Sequence, residues 1–244
     1  MSEVHANIPP QGRVVMLSGA SRGIGAAVAQ RLHEEGYVLS LGVRRPAALD
    51  LPWLRDDARV LVCEYDACER AAAARWTAAT LERFGRLDAL VNNAGTLLPM
   101  PFASGDESAL DTMWEVNVKA PLRLLRATLN ALRASGRGRV VNIASTDGKR
   151  FRPTDSIGYT MTKHALMALT HAARFEGYAD GVRATALCPG AVDTELIANL
   201  AGVTPRAERL QPDTVAQAVA FLLCLPNNAV VAELVLNTRL ESML

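Results

Sequence analysis

Ser18-Gly19-Ala20-Ser21-Arg22-Gly23-Ile24-Gly25 is the stretch whose reading decides the fold. Before it stands Val14-Val15-Met16-Leu17, a short apolar run of the kind that forms a buried strand. After it, Ala26 to His33 has helical composition. A strand, a glycine-rich turn and a helix make a phosphate cradle. Glycine lets the backbone reach φ > 0 and approach a ligand, while the helix N-terminus offers unpaired N–H groups and a positive dipole. The glycines fall at 19, 23 and 25, so the strict G-x-G-x-x-G fingerprint is not met. Taken alone, the segment also fits a tight turn that binds nothing.

Working outward, the same alternation repeats. Apolar runs at 37–43, 59–63, 87–91, 139–143, 182–187 and 230–236 read as strands. Helical stretches fall at 68–84, 107–135, 159–175 and 214–225, with Pro121 marking a kink or boundary inside the second. Repeated strand–helix units with apolar strands imply an α/β fold, a doubly wound, mostly parallel sheet with right-handed crossovers. Residues 1–12 read as a flexible lead, 13–244 as a single domain, and 191–210 as a mobile flap.

Composition narrows the function. With 244 residues, half of them hydrophobic, the chain can bury one substantial core. A net charge of +1 argues against a nucleic-acid partner. No apolar span suits a membrane helix and no leader is evident, so a soluble, cytoplasmic protein is expected. Cys63, Cys68, Cys188 and Cys224 read as buried free thiols, with no metal-site spacing among them.

Such sheets bind ligands beyond the C-terminal ends of their strands. Polar groups recur there: Gly19, Gly23 and Gly25 after the first strand, Arg44 after the second and Asp66 after the third. Asn92, Asn93 and Gly95 follow the fourth, Ser145 the fifth, and Pro189 and Gly190 the sixth. Tyr159 and Lys163 are four residues apart and share a helix face. A nearby ammonium lowers a tyrosine's pKa, so Tyr159 can exchange a proton with a substrate oxygen that Ser145 anchors. Alone, each is also an ordinary surface pair or loop hydroxyl; their recurrence at one sheet edge separates the two readings.

Together these residues resemble the classical short-chain dehydrogenase/reductase family from about residue 12 to 240. Ser18–Gly25 is similar to its T-G-x-x-x-G-I-G loop, with Ser18 in place of threonine. Asn92-Asn93-Ala94-Gly95 resembles its N-N-A-G segment, and Pro189-Gly190-Ala191-Val192-Asp193-Thr194 its P-G-x-x-x-T segment. The resemblance implies a single-domain, Rossmann-like fold. It implies Asn117, Ser145, Tyr159 and Lys163 as catalytic residues, with Asn117 holding water in a relay to the lysine. It implies Gly19, Ser21, Arg22, Gly23, Ile24, Gly25, Asp66, Asn93, Ala94, Gly95, Pro189, Gly190 and Thr194 at a nicotinamide cofactor, with Tyr159 and Lys163 beside them.

An NAD site usually carries an acid after the second strand; here Val43 holds that place and Arg44-Arg45 follow. Arg22 and Arg44 can clasp a 2′-phosphate, so NADPH/NADP+ is expected over NADH/NAD+. The expected reaction is reduction of a ketone or aldehyde, with a 3-oxoacyl thioester within range. An NAD-dependent alcohol or sugar dehydrogenase and a non-catalytic NADP(H)-binding scaffold stay as alternatives. Lys149, Arg150 and Arg152 are either an attractor for an acidic substrate or a solvated cluster. Leu97, Leu98, Met100, Leu196, Ile197 and Leu200 are candidates for an apolar wall. The ending Glu233-Leu234-Val235-Leu236-Asn237-Thr238-Arg239 lacks the family's acid–Gly-Gly finish, while the resemblance implies a homotetramer or homodimer.

Overall fold

In the computed structural model, the described residues are 6–49, 51, 53–54, 58–151, 156–198, 200 and 203–240. Seven strands form one parallel sheet: β1 (Val14–Ser18), β2 (Val38–Val43), β3 (Val60–Glu64), β4 (Ala89–Asn92), β5 (Arg139–Ile143), β6 (Arg183–Pro189) and β7 (Glu233–Leu236). Their order is β3-β2-β1-β4-β5-β6-β7. The chain therefore reverses its winding between β1 and β4, the crevice where an open parallel sheet takes its ligand.

The helices are α1 (Gly23–Glu34), α2 (Ala72–Phe84), α3 (Glu107–Trp114), α4 (Ala120–Ala134), α5 (Ile157–Gly177) and α6 (Pro212–Cys224). Side chains along a strand alternate between faces. Val15 and Leu17 accordingly join Val28 and Leu32 of α1 and Val215 and Val219 of α6 in one core layer. Val14 and Met16 join Trp76 of α2, Leu124 and Leu132 of α4 and Ala173 of α5 in the other.

The helical stretch 107–135 is not one kinked helix. Between α3 and α4 lies a π-helical segment, Glu115–Lys119, and the Ala120 N–H donates to the Glu115 carbonyl, five residues back. Pro121 sits in the first turn of α4, where its missing N–H is tolerated. The wide turn is the irregularity, and Pro121 marks the boundary at which α4 begins rather than a kink. The expected flexible lead also differs in its described part: Ile8 is buried, and its N–H donates to the Cys224 carbonyl at 2.7 Å. Cys188 alone of the four free thiols is fully buried, and Cys68 is exposed. Among the described residues, no helix is long and apolar enough to cross a membrane.

Trp76 anchors the second core layer. It is 1 % exposed, and its indole N–H donates to Ser40 Oγ at 2.8 Å. Its ring occupies the space that a side chain at residue 42 would need: a Cβ on Gly42 would stand 2.6 Å from Cη2 and Cζ3. Gly42→Val is therefore expected to destabilise the protein by about 1–3 kcal/mol through overpacking. Denaturant unfolding measures it, and unchanged stability would show that the indole can move aside.

Candidate active site

The crevice is held open by one staple. The Ser18 hydroxyl, at the end of β1, accepts the N–H groups of Asn93 (3.0 Å) and Ala94 (3.1 Å) beyond β4. In return, Asn93 Nδ2 donates to the carbonyls of Ser18 and Gly19, each at 3.0 Å. This close approach explains two glycines. Gly19 has φ +70°, and a Cβ there would lie 2.9 Å from Ala94 Cα. A Cβ on Gly25 would overlap the Gly19 carbonyl oxygen and stand 2.5 Å from Asn93 Nδ2.

Arg22 then caps α1 through its backbone alone, and no acidic residue occupies the helix's first turn. Ser21 is exposed beside it, while Ile24 packs against the core. Across the crevice, the missing Cβ of Gly23 faces Thr194 Cγ2 at 3.1 Å. The loop thus brings Gly19, Gly23, Gly25 and Thr194 together around the N-terminal dipole of α1. That arrangement suits a pyrophosphate: a Cβ at Gly19 or Gly25 would collide, and no carboxylate in the helix's first turn repels an anion.

A second cluster forms beside it. Asn117 lies in the π-helical segment and is buried. Its Oδ1 accepts the Thr96 N–H at 2.8 Å, while Nδ2 donates to the Thr96 carbonyl (2.8 Å) and to Thr162 Oγ1 (3.0 Å). A Cβ on Gly95 would lie 3.5 Å from Asn117 Oδ1 and 3.9 Å from Lys163 Nζ, so these three residues converge. Ser156 caps α5 by accepting the Tyr159 N–H at 3.2 Å. One turn further on, Lys163 Nζ stands 5.4 Å from the Tyr159 ring centroid and donates to the Ile143 carbonyl at 2.8 Å.

Burial governs the protonation of this pair. Desolvation brings the Lys163 ammonium down to about 8, opposed by the Cys188 and Asp147 charges. Tyr159 is half-buried as a residue, but its hydroxyl is enclosed. Desolvation pushes that hydroxyl well above the tyrosine range, Asp147 pushes the same way, and a hydrogen bond with Ser145 opposes both. The expectation that Lys163 depresses the Tyr159 pKa is therefore not met within the chain itself. Tyr159 is held as the neutral phenol, the form that can give a proton.

The remaining predicted residues divide. Pro189 ends β6, and the Gly190 N–H donates to the Leu236 carbonyl at 2.7 Å. Asp66 Oδ1 accepts the Cys68 N–H at 2.9 Å, in a local turn ahead of α2. Arg44 is exposed at the end of β2. Arg22 pairs with Glu195, so the expected Arg22–Arg44 clasp is not preassembled. Residues 191–210, the expected mobile flap, are pinned at their base. The Asp193 N–H donates to the Leu210 carbonyl (2.8 Å), and the Asp193 carboxylate pairs with Arg206 at 2.9 Å.

A family model described as short chain dehydrogenase matches residues 13–202. The chain belongs to the short-chain dehydrogenase family. Agropine synthesis reductase of Rhizobium rhizogenes is 38 % identical over 222 residues, 91 % of this chain and 51 % of that protein. The chain thus spans about half the length of the first curated relatives it matches. An alcohol dehydrogenase from Thermococcus sibiricus, complexed with 5-hydroxy-NADP, superimposes with a TM-score of 0.82 at 34 % identity, covering 94 % of this chain and 99 % of that one. A 3-ketoacyl-(acyl-carrier-protein) reductase from Brucella melitensis, complexed with NADH, gives 0.85 at 27 % identity, covering 93 % and 98 %. The expectation of a nicotinamide-dependent oxidoreductase fold is therefore met.

The basic loop of this short-chain dehydrogenase fits neither an attractor for an acidic substrate nor a solvated cluster in its described part. Lys149 pairs with Glu233, whose second oxygen lies 2.9 Å from His171 Nε2. Arg150 is buried and donates to Asp147 Oδ1 at 2.7 Å. Both cations are thus engaged by carboxylates, neither forming a solvated cluster nor standing ready for an acidic substrate. Arg152 lies outside the described residues. Sequence reasoning missed Asp147, Thr96 and Thr162. The only signal for Thr162 was a hydroxyl beside Lys163; nothing local marked the other two.

The buried ammonium yields a pH test. Lys163 binds its proton less tightly folded than unfolded, so its cost is fully present below about pH 8 and fades as pH rises toward the ordinary lysine value. Lys163→Met removes the group. The stability of wild type relative to this variant is expected to rise by about 1–3 kcal/mol between pH 7 and pH 10. A pH-independent difference in urea unfolding would contradict the desolvated ammonium.

Proposed function

We propose that the protein is an NADPH-dependent carbonyl reductase acting on a ketone or aldehyde. The observation that carries this reading is the placement of Ser145, Tyr159 and Lys163 beside the Ser18–Gly25 cradle, with Tyr159 held as a proton donor. The reduced nicotinamide, when bound, supplies hydride to the carbonyl carbon. Ser145 and Tyr159 direct their hydroxyls to the carbonyl oxygen, and Tyr159 gives it a proton as negative charge develops there. Lys163 holds positive charge behind Tyr159 and favours the tyrosinate left after transfer. Asn117 ties Thr96 to Thr162 and so fixes the floor on which Lys163 stands.

The 2′-phosphate of NADPH is assigned to Arg44 and Arg22. Arg22 must leave Glu195 to reach it. Both side chains of that pair are mostly exposed, and such pairs are worth at most about 1 kcal/mol, so the exchange costs little. Gly19, Ser21, Gly23, Ile24 and Gly25 would receive the pyrophosphate side. Asp66, Asn93, Ala94 and Gly95 would line the adenine and ribose side, and Pro189, Gly190 and Thr194 the nicotinamide side. A homodimer or homotetramer of residues 13–244 is the assembly proposed with this reading.

Tyr159→Phe is expected to lower turnover by about 10²–10⁴-fold while NADPH still binds. Retained turnover across a panel of ketones, aldehydes and 3-oxoacyl thioesters would exclude Tyr159 as the acid. In fluorescence titrations, NADPH should bind more tightly than NADH. Arg44→Ala should narrow the gap by about tenfold through loss of a charged hydrogen bond. Equal affinities in wild type would reject the phosphate assignment.

A further inference from the structure

The first turn of α1 carries no acidic residue of its own, yet a carboxylate reaches its N-cap from a distant segment. Glu195 follows Thr194 beyond β6 and begins the single 3₁₀ turn Glu195–Ile197. Its Oε2 accepts from Arg22 Nη1, the side chain of the glycine turn just before Gly23. The two segments also meet beneath this pair, since a Cβ on Gly23 would stand 3.1 Å from Thr194 Cγ2. The start of the Glu195 segment is fixed. The Asp193 N–H donates to the Leu210 carbonyl at 2.8 Å, and the Asp193 carboxylate pairs with Arg206 at 2.9 Å and with Arg209 at 3.6 Å. Asp193 thus spends its charge within its own loop, while Glu195 presents its charge to the glycine turn.

Resting on the assignment of Arg22 to the 2′-phosphate, we propose that Glu195 is a specificity-determining residue: its carboxylate competes with that phosphate for Arg22 and so sets how strongly NADPH is preferred over NADH. A guanidinium offers the same fork of donors to a carboxylate and to a phosphate, so the two anions are alternatives for one cation. Arg22 has to give up Glu195 to take the phosphate of NADPH, but keeps it when NADH binds. Once released, the carboxylate remains tethered to Thr194 against the glycine turn, and its charge opposes the phosphate nearby. Both effects weaken NADPH and spare NADH. Selectivity is a difference of two affinities, so a group that acts on one cofactor alone resets it.

Solvent sets the size of the effect. The Arg22 and Glu195 side chains are 63 % and 70 % exposed. Charges placed so far into water interact weakly, and salt screens them further. Glu195 therefore trims the preference for NADPH without reversing it.

Glu195→Gln removes the charge and keeps the shape. In fluorescence titrations at low salt, this variant is expected to bind NADPH about two- to fivefold more tightly than wild type, with NADH affinity unchanged. Glu195→Lys should tighten NADPH further by adding a cation. In an Arg22→Met background, Glu195→Gln should lose most of its effect, because the competition has no object. Near 1 M salt, where the screening length is about 3 Å, the gain should fade. The unchanged NADH affinity also reports that each variant is folded. An unaltered NADPH affinity in Glu195→Gln, equal tightening of both cofactors, or a full gain that survives Arg22→Met would overturn the role of Glu195. Any of these outcomes, with wild type still preferring NADPH, leaves the phosphate assignment standing. Equal wild-type affinities for NADPH and NADH would instead remove that assignment, and the competition with it.

Discussion

The side-by-side pairing of β1 with β4 is the constraint on which the rest depends. These strands are separated in sequence by α1, β2, β3 and α2, yet their exits are joined by four hydrogen bonds through Ser18 and Asn93. One hydroxyl accepts two backbone N–H groups that would otherwise be left unsatisfied, and one amide satisfies two carbonyls. The glycine turn is thereby fixed against the Asn-Asn-Ala-Gly turn before any ligand arrives. Replacing either polar side chain would leave partly buried backbone groups without these partners at the point of closest approach. The phosphate cradle is preorganised by the sheet rather than by the loop alone.

The second cluster shows the opposite strategy, in which polar groups are buried to make them reactive. Desolvation of the Lys163 ammonium is opposed by Cys188 and then by Asp147, and its Nζ donates to the Ile143 carbonyl. Tyr159 is pushed toward the neutral form by the same lack of water. The two groups sit on one helix face, and burial is the largest influence on the protonation of both. The cost of such burial is met by the large apolar layers on either side of the sheet.

Much of this was legible in the sequence because it is written in local patterns. The apolar strand runs, the glycine turn and the i, i+4 spacing of Tyr159 and Lys163 each follow from residues near one another. β5 was read to the residue, since Arg139–Ile143 is bounded by Gly138 and by Ala144-Ser145. What escaped was set by contacts between distant segments. Lys149 and Arg150 looked solvated because their neighbours in sequence are polar, whereas Glu233 comes from the far end of the chain and Arg150 is folded back into its own turn. The direction of the Tyr159 shift escaped for the same reason: burial is a property of the assembled sheet, not of the motif.

The π-helical segment between α3 and α4 carries a consequence for how this chain tolerates change in length. Five residues there span a turn that an α-helix would close with four. Excision of one residue from Glu115–Lys119 would leave a continuous and locally more regular helix. The flanking faces of α3 and α4 would stay nearly in phase, because the wide turn absorbs its surplus residue locally, so the change would fall on the turn from which Asn117 reaches Thr96 and Thr162. The surplus residue thus acts locally: the packed helical faces on either side keep their orientation, and regularising the helix would alter the one turn that presents Asn117.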